Sequence, residues 1–355
     1  MLHRSRNMLL SDNILIRDGL RRLRSRLPDG WTLAAPMPTS SASLGDATVE
    51  LGAPDGRKAV LTVEAKARLD PKGVRALVDT LRPQLLGNPI VMTRYLSERT
   101  RTQLRESGLG YLDLTGNIRI TVNEPGLYIE TQGAAEDPDR TERPARSLRG
   151  VKAGRIVRAL IDYKQPAGVR ELAALTSIDA GYVSRILALL DSEALITRVG
   201  RGRIERVDWP ALLRRWAQEA PLESRGQTLT YLEPRGLPAL VNRLAKSTAR
   251  YAITGSMAAA QIAPLAPARL ATIWIRDAEQ AASKLGVRPA DSGANVLLIE
   301  PADELAFENA TERDGVWYAA PSQIAADLLS SPGRGPAEAE ELIAWMQANE
   351  GKWRQ

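Results

Sequence analysis

The sequence predicts a mixed α/β protein of several domains, and three patterns carry that expectation. Residues 31 to 120 alternate short β-branched apolar runs with amphipathic stretches. Residues 153 to 190 repeat apolar side chains at helical spacing with no strand pattern between them, and "ARYAITGSMAAAQIAPLAPARLATIWIRD" returns to strand, turn, helix, strand. At 355 residues the chain is long enough for two or three cores. Two polar seams divide it. "GAAEDPDRTERPARSLRG", residues 133 to 150, is charged, Pro-containing and without apolar periodicity, and "AQEAPLESRGQTLTYLEPRG", residues 217 to 236, is the weaker candidate. The expected domains are therefore 1–132 (α/β), a linker over 133–149, 150–216 (helical) and 217–355 (α/β).

Composition excludes several chemistries. There is no cysteine, which removes disulfides, thiolate metal sites and Cys nucleophiles together. The single histidine is His3, so a Ser-His-Asp triad, a His base or a His-ligated zinc is not expected. An enzyme built from this chain would work with carboxylates, Lys, Arg or hydroxyls. A net charge of +6, carried mostly by Arg, favours a polyanionic partner. No apolar stretch is long enough to span a bilayer and no signal peptide opens the chain, so a cytoplasmic protein without a membrane partner is expected.

In the first segment the pattern predicts a helix over 13–27 and strands near 31–37, 46–51 and 58–66. A helix over 71–82, a strand in "NPIVMTRYL", a helix in "SERTRTQLRES" and a strand pair around "GLGYLDLTGNIRI" follow. Within "AVLTVEAKARL", alternation puts Leu61, Val63 and Ala65 on one face and Thr62, Glu64 and Lys66 on the other. Asp46 opens the preceding strand, "DATVEL", eighteen positions before Glu64 and across the turn "GAPDGRK", a spacing that sets the two carboxylates side by side. Two close carboxylates suit Mg²⁺, and a neighbouring Lys would orient water or neutralise developing charge. Glu50 is a rival for the Asp46 position. This order with Glu-x-Lys resembles the PD-(D/E)XK phosphodiesterases. The resemblance implies Asp46 and Glu64 as metal ligands and Lys66 as their catalytic partner, in a family many of whose members have lost activity and only bind. Asp113 and Asn117 in "YLDLTGN" read either as site residues or as parts of a Thr-Gly-Asn turn.

The middle segment carries the most specific pattern. "AGRIVRALIDYKQ" places Ile156, Val157, Leu160 and Ile161 on one helical face. A second helix starts near Val169, and Asp179 is placed to cap a third, whose Val183, Ile186, Leu187 and Leu190 face the first two. "ITRVGRGRIERVDW" alternates about a Gly-Arg-Gly tip, the form of a β-hairpin. Three helices and a basic hairpin make a winged helix-turn-helix. The third helix then reads the major groove of double-stranded DNA through Tyr182, Ser184 and Arg185, and Arg198, Arg201 and Arg203 on the wing meet phosphate or the minor groove. Tyr182 also fits a packing role at the helix start.

In the last segment, strand, Gly-Ser turn, helix and strand resemble the opening of the minimal nucleotidyltransferase fold. The strand that would carry its paired acids, "PARLATIWI", has no carboxylate, so Gly255 and Ser256 read as a tight turn in a degenerate copy. Trp317, Tyr318 and Trp345 read as core. With "APSQIAADLLSSPGRGPAEAEELI" the order of pieces is similar to the AbiEi antitoxins of type IV toxin–antitoxin systems, over about residues 150 to 345. Pro321, Ser322, Gln323, Asp327, Leu328, Leu329, Gly333, Arg334, Glu338 and Ala339 match that pattern in order. The resemblance implies an autorepressor that counters a nucleotidyltransferase toxin without a tight complex. The chain departs from the short form in having an internal winged helix preceded by a nuclease-like segment.

The leading expectation is a DNA-binding transcriptional regulator that needs no cofactor, with a homodimer as the usual partner for palindromic sites. A Mg²⁺-dependent nuclease using Asp46, Glu64 and Lys66 and guided by the winged helix is the alternative. An inactive protein-binding scaffold is the third.

Overall fold

The computed structural model describes residues 2–39, 45–81, 88–138, 147–164, 168–199 and 203–355. They form two compact units of mixed α/β structure, one built on Met1–Arg143 and the other on Pro144–Asp191 with Leu195–Gln355. Among the described residues no single helix is long and apolar enough to cross a membrane.

The first unit runs α1 (Leu2–Arg24), β1 (Thr32–Leu33), β2 (Met37–Pro38), β3 (Ala47–Gly52), β4 (Lys58–Lys66), α2 (Pro71–Leu81), β5 (Pro89–Thr93), α3 (Glu98–Glu106), β6 (Gly110–Asp113), β7 (Ile118–Val122) and β8 (Leu127–Thr131). Its sheet has the order β1-β3-β4-β5-β6-β7-β8, with β2 also on β3; β4, β5 and β6 are parallel and the other pairs antiparallel. Alternation along the central strands sorts the core into two layers. Leu61, Val63, Ile90 and Met92 pack with Leu15, Ile16, Leu20 and Leu23 of α1, whereas Val91 and Tyr111 pack with Val74, Leu77 and Leu104 of α2 and α3. Gly19 lets α1 approach the sheet closely, since a Cβ there would lie 2.9 Å from the Met92 sulfur. The helix starts well before the expected residue 13, because residues 2–12 contain neither Gly nor Pro to stop it. The sequence pattern does not announce β8, which buries only Leu127 and Ile129.

The second unit runs α4 (Val151–Asp162), α5 (Val169–Thr176), α6 (Ala180–Ser192), β9 (Ile196–Arg198), β10 (Ile204–Val207), α7 (Trp209–Glu219), β11 (Gly226–Leu232), α8 (Leu237–Leu244), β12 (Tyr251–Thr254), α9 (Gly255–Ala259), β13 (Ala271–Ile275), α10 (Ala278–Leu285), β14 (Arg288–Pro289), β15 (Val296–Pro301), β16 (Thr311–Arg313), β17 (Val316–Tyr318), α11 (Pro321–Leu329), α12 (Gly335–Ala348) and α13 (Glu350–Trp353). β9 and β10 form a hairpin; the other strands make one sheet of order β14-β11-β15-β13-β12-β17-β16. A single apolar core runs from Leu148 and α4 through α7 to α12. The seam expected at 217–236 is therefore not a boundary. Residues 226–232 are a strand paired with β15 on one side and β14 on the other, and their mixed Thr, Gln and Leu composition hides it. The upstream seam lies partly outside the described residues, which omit 139–146.

A buried polar network ties α4 to the sheet through α11. Arg158, 1% exposed, donates to Asp162 at 3.1 and 2.9 Å, to the Glu308 carbonyl at 3.2 Å and to Gln323 Oε1. Asp162 also accepts from Ser322 Oγ, and from Asn309 Nδ2 at 3.0 Å. Gln323 Nε2 donates at 2.7 Å to Asp327, whose other oxygen accepts from Thr254 Oγ1 at 2.6 Å and Trp274 Nε1 at 2.8 Å. Arg225 pairs with Asp327 at 2.8 Å and lies 5.0 Å from the Trp216 ring.

Asp327→Ala should cost the protein about 3–5 kcal/mol in urea denaturation, because it strands a buried guanidinium. Glu340→Gln, which breaks the half-exposed pair with Arg214, should stay within about 1 kcal/mol of the parent. Equal losses from the two would contradict the assignment of this network as structural.

Candidate functional site

The outward part of α6 is set by its apolar side. Val183, Ile186, Leu187 and Leu190 are buried in the core shared with α4 and α5. Asp179 Oδ1 accepts from the Tyr182 backbone N–H at 3.0 Å and so fixes the start of the helix as expected. Ser184 and Arg185 are exposed, while Tyr182 is half-buried and packs on the core. The Arg185 guanidinium lies 5.6 Å from the centre of the Tyr182 ring, so Tyr182 combines packing with positioning of Arg185. The sequence offered Tyr182 two roles, groove contact or packing at the helix start, and the packing is present.

On the hairpin, Arg203 is exposed and Arg206, which the sequence reading did not single out, is exposed too. Arg198 is half-buried and has a partner within the protein. Arg201 lies outside the described residues.

In the first unit, Asp46 and Glu64 stand at the same end of the paired strands β3 and β4. Asp46 N donates to the Val63 carbonyl at 2.8 Å, and Asp46 Oδ2 accepts from Ala65 N at 2.7 Å, so its side chain reaches across to β4 beside Glu64. Glu64 is paired with Lys66 on the same face. Glu50 instead pairs with Lys58 at 2.8 Å, at the hairpin end of the two strands, and is not drawn into this group. Burial works against the Lys66 charge, but the hydrogen bond with Glu64 and the Glu64, Asp46 and Asp12 carboxylates outweigh it, and the Lys66 pKa is raised. Asp12 of α1 was not visible as a contributor, since nothing in its local sequence relates it to β4.

These side chains fit Mg²⁺ in donor type only in part. Hard carboxylate oxygens are present, and Mg²⁺ takes one or two carboxylates together with water or phosphate oxygens. However, Asp46 is committed through one oxygen to the backbone and Glu64 is neutralised by Lys66. Among the described residues no group of three or more His, Cys, Asp or Glu is placed to hold a metal.

Asp113 and Asn117 are accounted for by the β6–β7 turn. The fully buried Asp113 carboxylate accepts from the backbone N–H groups of Leu96, Thr115, Gly116 and Asn117 at 2.9, 2.8, 3.0 and 3.1 Å, and from Asn117 Nδ2 at 2.8 Å. Asn117 Oδ1 accepts from Arg101 Nη1 at 2.7 Å and Gly133 N at 2.9 Å. Gly255 has φ +64° and stands against the Thr272 side chain, while Trp274 on the same strand is buried against Asp327. The strand beside the Gly-Ser turn thus presents a hydroxyl and an indole, and no acid.

Comparisons with protein-family models, with curated proteins and with solved structures each find no match.

The carboxylate group makes two stability predictions, both read by urea denaturation. Glu64→Gln should change stability by less than about 1 kcal/mol, as for other partly exposed pairs. Asp46→Ala should cost about 1–3 kcal/mol by leaving the Ala65 N–H without its acceptor. The raised Lys66 pKa means that its contribution is fully present below the ordinary lysine value of 10.5 and is lost as pH rises through the higher folded value. Lys66→Met should therefore flatten the stability profile above that pH.

Proposed function

We propose that this protein is a DNA-binding transcriptional regulator, an AbiEi-like autorepressor, in which α4, α5, α6 and the β9–β10 hairpin act as a winged helix-turn-helix. The observation that carries the reading is the outward side of α6. Its apolar side is consumed by the core, and it leaves Ser184 and an Arg185 held against Tyr182 towards solvent. Charge supports it: residues 151–207 contain ten Lys or Arg and six Asp or Glu, and so hold four of the six net positive charges of the chain. In this reading α6 lies in the major groove, with Arg185 at base edges and Arg203 and Arg206 on phosphates. The partners are double-stranded DNA, a second copy of the chain on a palindromic site, and a cognate nucleotidyltransferase toxin opposed without a tight complex. The remainder of the second unit is then a degenerate nucleotidyltransferase-like domain, with Thr272 and Trp274 on the strand where metal-binding acids would stand.

A second reading is favoured by one observation, the meeting of Asp46, Glu64 and Lys66 in the first unit. There the first unit is a PD-(D/E)XK-like nuclease domain, and Asp46 and Glu64 would hold a Mg²⁺ that activates water for phosphodiester cleavage. The commitment of both carboxylates to other partners makes it the lesser reading, and a retired nuclease fold is preferred.

One experiment separates the two. The protein is mixed with labelled DNA from upstream of its own gene, with and without Mg²⁺, and run on native and denaturing gels. A specific, salt-sensitive shift with intact DNA is expected. Arg185→Ala should weaken specific binding by about 1–3 kcal/mol, and Arg203→Ala should weaken all sequences alike and reduce the salt slope by about one. Metal-dependent cleavage that disappears in Glu64→Ala would reverse the order of the two readings.

A further inference from the structure

The geometry points to a small-molecule site in the second unit, a pocket for an aromatic heterocycle carrying an anionic group, of the size of a mononucleotide. This is independent of the DNA-binding reading. A cavity of about 370 Å³ opens between the end of α9, the β16–β17 hairpin, the start of α11 and residues 351–355. That volume falls within the range of small-molecule sites. Gly255 and Ser256 are not in its wall.

Three aromatic side chains line it, Tyr318, Trp345 and Trp353. The sequence reading assigned Tyr318 and Trp345 to the core together with Trp317. In the structure Tyr318 and Trp345 are half-buried, with one side against the core, and Trp317, on the edge hairpin, is 42% exposed. Trp353 is fixed in place. Its Nε1 donates to the Met346 carbonyl at 2.8 Å, and its ring meets Trp209 edge-on at 5.1 Å. Rigid aromatic faces of this kind suit a flat ring.

Positive charge predominates in the wall. Arg313 and Lys352 are exposed at the cavity, and Arg313 Nη1 is held by the Gln261 carbonyl at 3.2 Å. Arg354 is committed to the carbonyls of Leu160, Ile161 and Tyr163 and to Glu350. Among the described residues of the wall the side-chain carboxylate is Asp162, already paired with Arg158, and the terminal oxygen of Gln355 accepts from the Lys164 backbone N–H. Two cations beside aromatic faces favour a ligand with a phosphate or carboxylate attached to a ring. Asn309 and Gln355, joined at 3.2 Å, add the donors and acceptors that a heterocycle edge requires.

The test is calorimetric titration of the full chain with AMP, with adenosine and inorganic phosphate in parallel, and tryptophan fluorescence as a second readout. Saturable AMP binding with a fluorescence change is expected, with adenosine and phosphate each at least about tenfold weaker. Arg313→Ala, at an exposed position that should leave folding intact, should weaken AMP about tenfold; Trp345→Phe should retain binding and reduce the fluorescence change. No saturation by about 1 mM AMP would overturn the site. So would adenosine or phosphate binding as tightly as AMP, or an unchanged AMP affinity in Arg313→Ala.

Discussion

An arginine and an aspartate taken out of water together, as Arg158 and Asp162 are on α4, are tolerated only where their remaining donors and acceptors find partners. Here those partners come from distant parts of the chain: Ser322 and Gln323 at the start of α11, Asn309, and the Glu308 carbonyl. Gln323 passes the requirement on to Asp327, and Asp327 meets it with β12, β13 and Arg225. Each member has a short list of acceptable positions. A helix slid by one residue along this contact would leave several buried polar groups unpaired, each costing about 1–3 kcal/mol. Apolar packing alone is more forgiving of such slips. The network therefore specifies how the helical trio sits on its sheet more sharply than the surrounding Leu, Ile and Ala contacts do.

This also accounts for three polar residues of α11. Ser322, Gln323 and Asp327 look, in sequence, like polar residues scattered through an apolar helix. In the structure they are the buried side of α11 and face α4 and the sheet. Residues buried for that reason report on architecture and carry no statement about catalysis.

What could be read from sequence followed the range of the interaction. Local signals were legible: the helical periodicity of α4 and α6, the Asp179 cap, and the period-two alternation that put Glu64 and Lys66 on one face. The meeting of Asp46 with β4 was legible too, because a single hairpin fixes its register. Other features were not. β11 lay hidden in a polar seam because its stability comes from two neighbours far along the chain. The Arg158 network joins residues about 150 positions apart, and no local pattern relates them. Trp317 failed for the opposite reason: residue type predicts average exposure, and here a tryptophan is exposed on an edge hairpin.

The two candidate chemistries then differ in what the fold asks of their residues. A partly exposed Glu64–Lys66 pair contributes little to stability, so neither side chain is needed to keep β4 in place, whereas the Asp46 carboxylate is bonded to the Ala65 backbone. Two of the three residues are thus free to vary without loss of fold, and only an activity would hold them. The proposed recognition surface has the converse property. Tyr182 is fixed by the core and in turn limits where Arg185 can point, so part of the entropy of ordering that arginine is met before any DNA arrives. A preorganised cation on a helix locked to a rigid body is what base reading requires, and a carboxylate pair already satisfied by its own protein is not what metal binding requires. That contrast is the physical reason for ranking the regulator above the nuclease.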